Sequence, residues 1–280
     1  MLLGYNTNGL TGIRLEDALR LLADLGYQSV AITLDYKALD PFDRTTWQSQ
    51  AGRIRNCLDR LGLRCVVETG SRFLLDPAHK HRPTLLDAEA EQRKRRWCLL
   101  ERAIRLAAIL RADAVSFWSG VADSEEPEEV LYSRLVSACQ ELCEAAERHN
   151  VRLAFEPEPG MWVDTMPRFE RLWRAVGHPN FGLTLDIGHL VCQGESISDT
   201  IRRWRDVLWN VHLEDMRYGV HEHLPFGEGE VPVPQVLQLL AEVGYRGGVH
   251  VELSRHSHEG LTMARRARDY LRQHWPRSGL

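Results

Sequence analysis

Four stretches of this 280-residue chain run through apolar residues toward a group that can hold a metal ion or carry a proton. They are Leu153-Ala154-Phe155-Glu156, Leu183-Thr184-Leu185-Asp186, Asn210-Val211-His212-Leu213 and Val249-His250-Val251-Glu252. A charge at the end of a buried strand must be solvated, paired or metal-bound, because removing it from water is expensive. Taken singly, such a carboxylate caps the next helix or pairs with a cation. Three carboxylates and an imidazole converging on one axis instead make a ligand set suited to Mn²⁺, Mg²⁺, Co²⁺ or Zn²⁺. Pro157 adds a local constraint, since the residue before a proline is held extended and Glu156 therefore stays on the strand path.

The elements that must position these groups repeat along the chain. Leu22 to Ile32, Leu58 to Val67 and Leu240 to His250 each read as the end of an amphipathic helix, a glycine, then a β-branched run. Gly26, Gly62 and Gly244 stand where a helix C-terminus needs a left-handed residue. Strands are expected near 2–6, 29–33, 64–68, 114–117, 152–156, 181–186, 208–213 and 248–253. Between them, Leu15, Ala18, Leu19 and Leu22 share a helical face, as do Trp97, Leu100, Ile104 and Ala107, and Ala264, Ala267 and Leu271. Pro167 and Pro234 fit first helical turns. Eight strand–helix units predict an α/β fold, a single (β/α)8 TIM barrel over residues 1–280, with loops after the strands forming the reactive rim. Residues 69–87 and 214–232 are the long loops there.

Composition narrows the function. With 35 basic and 39 acidic residues the net charge is −4, which offers no general attraction to a phosphate backbone. No apolar run reaches the roughly 18 residues of a membrane span, and residues 1–6 lack the layout of a signal peptide. Six cysteines without a CxxC pair read as packed thiols of a reducing, cytoplasmic compartment. The expected partner is a small molecule, with neither nucleic acid nor membrane; a homodimer or homotetramer is compatible with this reading.

The strand-end residues resemble the xylose-isomerase-like TIM barrels, which comprise sugar isomerases, ketose 3-epimerases, inosose-processing enzymes and endonuclease IV. The likeness spans nearly the whole chain in architecture and is specific in the C-terminal half. It implies metal ligands at Glu156, Asp186, His212 and Glu252, and a substrate contact at His189 of Leu185-Asp186-Ile187-Gly188-His189. Gly227-Glu228-Gly229 is also similar to members of the family.

A divalent ion that binds two neighbouring oxygens of a hydroxy-ketone or hydroxy-aldehyde stabilises the enediolate formed when the carbon between them ionises. The resemblance implies that Glu156 and Glu252 are the catalytic pair that removes and returns the proton. At two places where ketose 3-epimerases carry a substrate-binding Glu and Arg, this chain has Trp162 and Tyr218. Glu158 and Arg217 lie close by and are candidates for those contacts, with His189, His223 and Trp118; a second metal on His221 and His223 is the minor alternative. The expected activity is a metal-dependent sugar, sugar-phosphate or polyol isomerase or epimerase. The alternative is a dehydratase or lyase acting on a keto-inositol or related keto-sugar. A non-catalytic sugar-binding barrel ranks lower, as does an endonuclease IV-like phosphodiesterase, because Asp35, Glu68-Thr69 and Phe117-Trp118 end the early strands without an imidazole.

Overall fold

Helix stripes and strand runs assemble here as the pattern predicts. The computed structural model describes all residues except 44, 123, 124 and 277–280. In α1 (Leu15–Asp24) the stripe Leu15, Ala18, Leu19 and Leu22 is buried. α2 (Trp47–Leu61) ends on Gly62, whose φ of 66° is the left-handed cap. The remaining helices are α3 (Ala90–Leu110), α4 (Glu128–Arg148), α5 (Met166–Val176), α6 (Ile187–Gln193), α7 (Ile197–Trp204), α8 (Val233–Glu242) and α9 (Gly260–His274). Pro167 and Pro234 occupy the first turns of α5 and α8. No helix among the described residues is long and apolar enough to cross a membrane.

Eight parallel strands close into a barrel: β1 (Leu2–Asn6), β2 (Ser29–Thr33), β3 (Arg64–Glu68), β4 (Val115–Phe117), β5 (Leu153–Phe155), β6 (Phe181–Asp186), β7 (Leu208–Leu213) and β10 (Gly248–Val251). β10 pairs with both β7 and β1, completing the ring. Register then does chemical work. Asp186 is the direct partner of His212 across β6 and β7, and His212 is that of His250 across β7 and β10. Because side chains alternate along a strand, Asn210 and His212 both face the barrel axis.

The outer core includes an aromatic cluster. Phe155 lies 5.2 Å from Phe117 and 6.0 Å from Phe169, whose ring is 4.9 Å from Trp204. Inside the barrel a hydrogen-bonded polar network runs along the axis. His250 donates from Nδ1 to Asn210 Oδ1 at 2.8 Å, and Ser29 Oγ meets its Nε2 at 2.9 Å. Gly4 and Gly248 make room for that ring: a Cβ at either would come within 2.4 Å of it.

Two expectations are corrected. Glu156 and Glu252 stand one residue beyond β5 and β10 rather than inside them; after Glu156 the ladder stops because Pro157 cannot donate to it. Residues 214–232 are not all loop: β8 (Asp215–Arg217) and β9 (Val220–Leu224) form an antiparallel hairpin. Its turn is Tyr218-Gly219, with Gly219 at a φ of 69°.

Candidate metal centre and cavity

The four strand-end residues come together at the C-terminal mouth of the barrel. His212 Nδ1 lies 3.0 Å from Glu156 Oε1, 3.0 Å from Glu252 Oε2 and 4.0 Å from Asp186 Oδ2. One donor atom from each of the four can be chosen so that all lie within 4.8 Å of one another. Three carboxylates buried side by side repel one another unless a countercharge sits among them. Asp186 Oδ2 is buried with no hydrogen-bond partner, as expected of an oxygen reserved for a cation. Its other oxygen accepts from the His189 backbone N–H at 2.9 Å, capping α6 and fixing the carboxylate. The donor set therefore fits a divalent ion.

Electrostatics follow the same geometry. Burial pushes Glu156 up to about 7, against the opposing pull of His212. Burial acts on Glu252 in the same sense, but His212 and the Asn8 amide hold it well below the usual carboxylate range. Asn8 Nδ2 donates to Glu252 Oε1 at 2.8 Å. Despite burial, the Glu68 and Glu156 carboxylates raise His212 well above its usual value.

The sequence reading passed over Glu68. Its Oε1 accepts from His212 Nε2 at 3.0 Å and from Asn210 Nδ2 at 3.0 Å. With Nε2 donating to Glu68, Nδ1 faces the Glu156 and Glu252 carboxylates and would offer its lone pair to a metal ion bound among them, the arrangement by which a neighbouring carboxylate orients a ligating histidine. The network runs on through Asn210 and His250 to Ser29. Glu214 is a second omission: it is fully buried, and burial together with the facing Asp186 carboxylate pushes it well up.

Above the donor set opens a cavity of about 580 Å³, within the size range of small-molecule sites. Trp118, Glu158, His189 and His223 line it, as do His81 and His221. Trp118 is backed by the Arg96 guanidinium, 4.2 Å from its ring centre. Burial and the neighbouring Glu156 push Glu158 up to about 8. His189 donates from Nδ1 to the Pro157 carbonyl at 3.2 Å, and its Nε2 faces His221 Nε2 at 3.2 Å. One nitrogen each from His189, His221 and His223 forms a further group within 4.8 Å. Arg217 does not join the others: it is exposed and donates to the Glu228 carbonyl at 2.9 Å, drawn there because the β8–β9 hairpin carries it outward. Gly227-Glu228-Gly229 has a structural task. It wraps the buried Asp215, whose carboxylate accepts from the backbone of Gly227, Val231 and Met216 at 2.8, 2.9 and 3.1 Å.

Comparison with known proteins agrees with this architecture. The family model for xylose isomerase-like TIM barrels matches residues 19–274. An inosose isomerase of Halalkalibacterium halodurans is 32% identical over 140 residues, covering 46% of this chain and 50% of that relative. An L-ribulose-5-phosphate 3-epimerase of Escherichia coli is 24% identical over 273 residues, covering 94% of this chain and 91% of its own. Among solved structures, the IolI protein with a bound zinc atom superposes with a TM-score of 0.76 at 19% identity, covering 98% of this chain and 99% of that one.

Proposed function

The chain belongs to the xylose isomerase-like TIM barrel family, and from that premise we propose that it is a divalent-metal-dependent isomerase or epimerase of a sugar, sugar phosphate or polyol. The observation that carries this reading is the group Glu156, Asp186, His212 and Glu252, with Asp186 Oδ2 left without a hydrogen bond. These four would hold Mn²⁺, Mg²⁺, Co²⁺ or Zn²⁺; the zinc in the IolI neighbour supports a divalent ion without choosing among them. When bound, the ion supplies positive charge against the negative charge that develops on two neighbouring substrate oxygens.

The chain's own residues do the rest. Glu156 and Glu252 approach His212 Nδ1 from β5 and β10, so a substrate between them has a carboxylate on either side to take and return a proton through an enediolate. His189, steadied by the Pro157 carbonyl, is placed to hold a substrate oxygen, and Trp118 offers an apolar wall. Residues 1–280 act as one catalytic domain in this reading. The six free thiols, five of them buried, support a reducing compartment such as the cytoplasm. Dehydration of a keto-inositol is the second reading; the inosose isomerase relative supports a keto-inositol as substrate, while its named reaction is isomerisation.

The test is metal analysis of the wild type, Asp186→Ala and His212→Ala, followed by deuterium uptake from D2O into ketoses, keto-inositols and sugar phosphates. One metal per chain, lost in both variants, with exchange that Glu156→Gln and Glu252→Gln abolish, is the expected result. Normal turnover by folded, metal-loaded glutamine variants would refute the two-carboxylate mechanism. Loss of water without isomerised product would favour the lyase.

A further inference from the structure

The rim of the cavity carries the opposite charge to its floor. Glu68, Glu156 and Glu252 line the bottom, whereas Lys37, Arg72, Lys80 and Arg255 stand around the opening. Among the described residues none of these four cations forms an ion pair with a carboxylate. Solvated surface cations ordinarily spread apart. Here the long segment after β3 and the short one after β10 bring Arg72, Lys80 and Arg255 together. Arg72, after β3, donates from Nη2 to the Ser254 carbonyl at 3.2 Å, tying its loop to the one after β10. Arg255 on that second loop donates to the His221 carbonyl of the β8–β9 hairpin at 3.1 Å. Each guanidinium is thus held by a backbone oxygen that does not cancel its charge. Lys80 completes the set: partial burial and then repulsion from Arg72 and Arg255 lower its ammonium, with Glu158 alone opposing. Like charges fixed beside a low-dielectric cavity attract an anion strongly, and they do so in a chain whose net charge of −4 gives no such attraction overall.

We propose that the substrate carries a fixed negative charge, a phosphate or a carboxylate, on the end remote from its reacting carbonyl, and that Arg72, Lys80 and Arg255 bind it at the rim. This rests on the sugar-directed reading above and narrows its substrate class. The ligand is then bipolar: its oxygens go down to the carboxylate floor and its anion stays at the mouth. Guanidinium groups suit this task because they meet phosphate and carboxylate oxygens with paired N–H donors.

The experiment is calorimetric titration of the metal-loaded protein with D-ribulose, D-ribulose 5-phosphate and a keto-uronate, repeated with Arg72→Gln/Lys80→Gln. Glutamine keeps length and hydrogen bonding while removing charge, and unchanged metal content and melting temperature verify the fold. The anionic ligands should bind at least tenfold more tightly than D-ribulose, with the difference shrinking at least tenfold in the double variant. Whichever anion binds tighter identifies the group. Equal binding of all three, absent binding included, overturns the proposal, as does a preference that survives both substitutions. Deuterium exchange on the same samples reports the reaction separately. A preference without exchange overturns proton transfer and leaves the rim intact; exchange without a preference does the reverse.

Discussion

At the scale of single residues, the ligands and their supports differ in how readily they can be read. Glu156, Asp186, His212 and Glu252 betray themselves because each interrupts or ends an apolar run. Glu68 does not, since what makes it informative is a hydrogen bond to a residue 144 positions away. Its role is testable: Glu68→Gln should weaken metal affinity by about 10–100-fold while leaving the circular dichroism spectrum unchanged, as chelator competition would measure. His250 gives a pH dependence of defined sign. Burial lowers it from 6.5 to about 3. Between those values the unfolded chain carries a proton that the folded chain lacks, so stability falls as pH drops through this window and is fully retained above it. Denaturant titrations from pH 6.5 to 4 should show His250→Gln flattening that slope by up to about 1.4 kcal/mol per pH unit. An identical slope in the variant would mean that Ser29 and Asn210 accommodate the imidazolium.

At the scale of elements, helices and barrel strands were legible because periodicity is local: the α1 stripe and the Gly62 cap need no distant information. The β8–β9 hairpin was hidden because its strands are short and His221-Glu222-His223 imitates a polar loop. Arg217 was misplaced for the same reason, as proximity in sequence says nothing about which way a hairpin turns its side chains. Close approach is equally invisible in one dimension. A Cβ on Gly188 would stand 2.3 Å from Glu214 Oε1 and 2.9 Å from the Met216 methyl. Gly188→Ala should therefore push α6 away from β7, destabilise by about 1–3 kcal/mol in urea titrations, and weaken metal binding through the displaced Asp186 cap. Asp215→Ala should cost several kcal/mol, because three backbone N–H groups lose one buried acceptor and each orphan costs about 1–3 kcal/mol. Retained stability there would show that the Gly227-Glu228-Gly229 turn holds itself.

At the scale of the whole molecule, the four candidate donors and the Glu68 that holds His212 tie together β3, β5, β6, β7 and β10, so binding of an ion there would be coupled to barrel closure. A ligand that binds only the folded state stabilises it by about 4.1 kcal/mol at a thousandfold excess over Kd. Mn²⁺ or Zn²⁺ should raise the melting temperature by about 7 °C, reversibly with EDTA, and His212→Ala should abolish the shift. Barrel architecture itself was legible in the count of strand–helix units, whereas the polar axis through Ser29, His250, Asn210 and Glu68 was not, since it exists only once the ring has closed. That ring has a consequence for biosynthesis. Glu252 and the strand that joins β7 to β1 emerge late from the ribosome, so a nascent chain holds an incomplete set of donors and an open sheet edge. Under the proposed reading, metal retention would therefore mark a chain whose ring has closed, because a chain cut before Glu252 lacks one of the four donors.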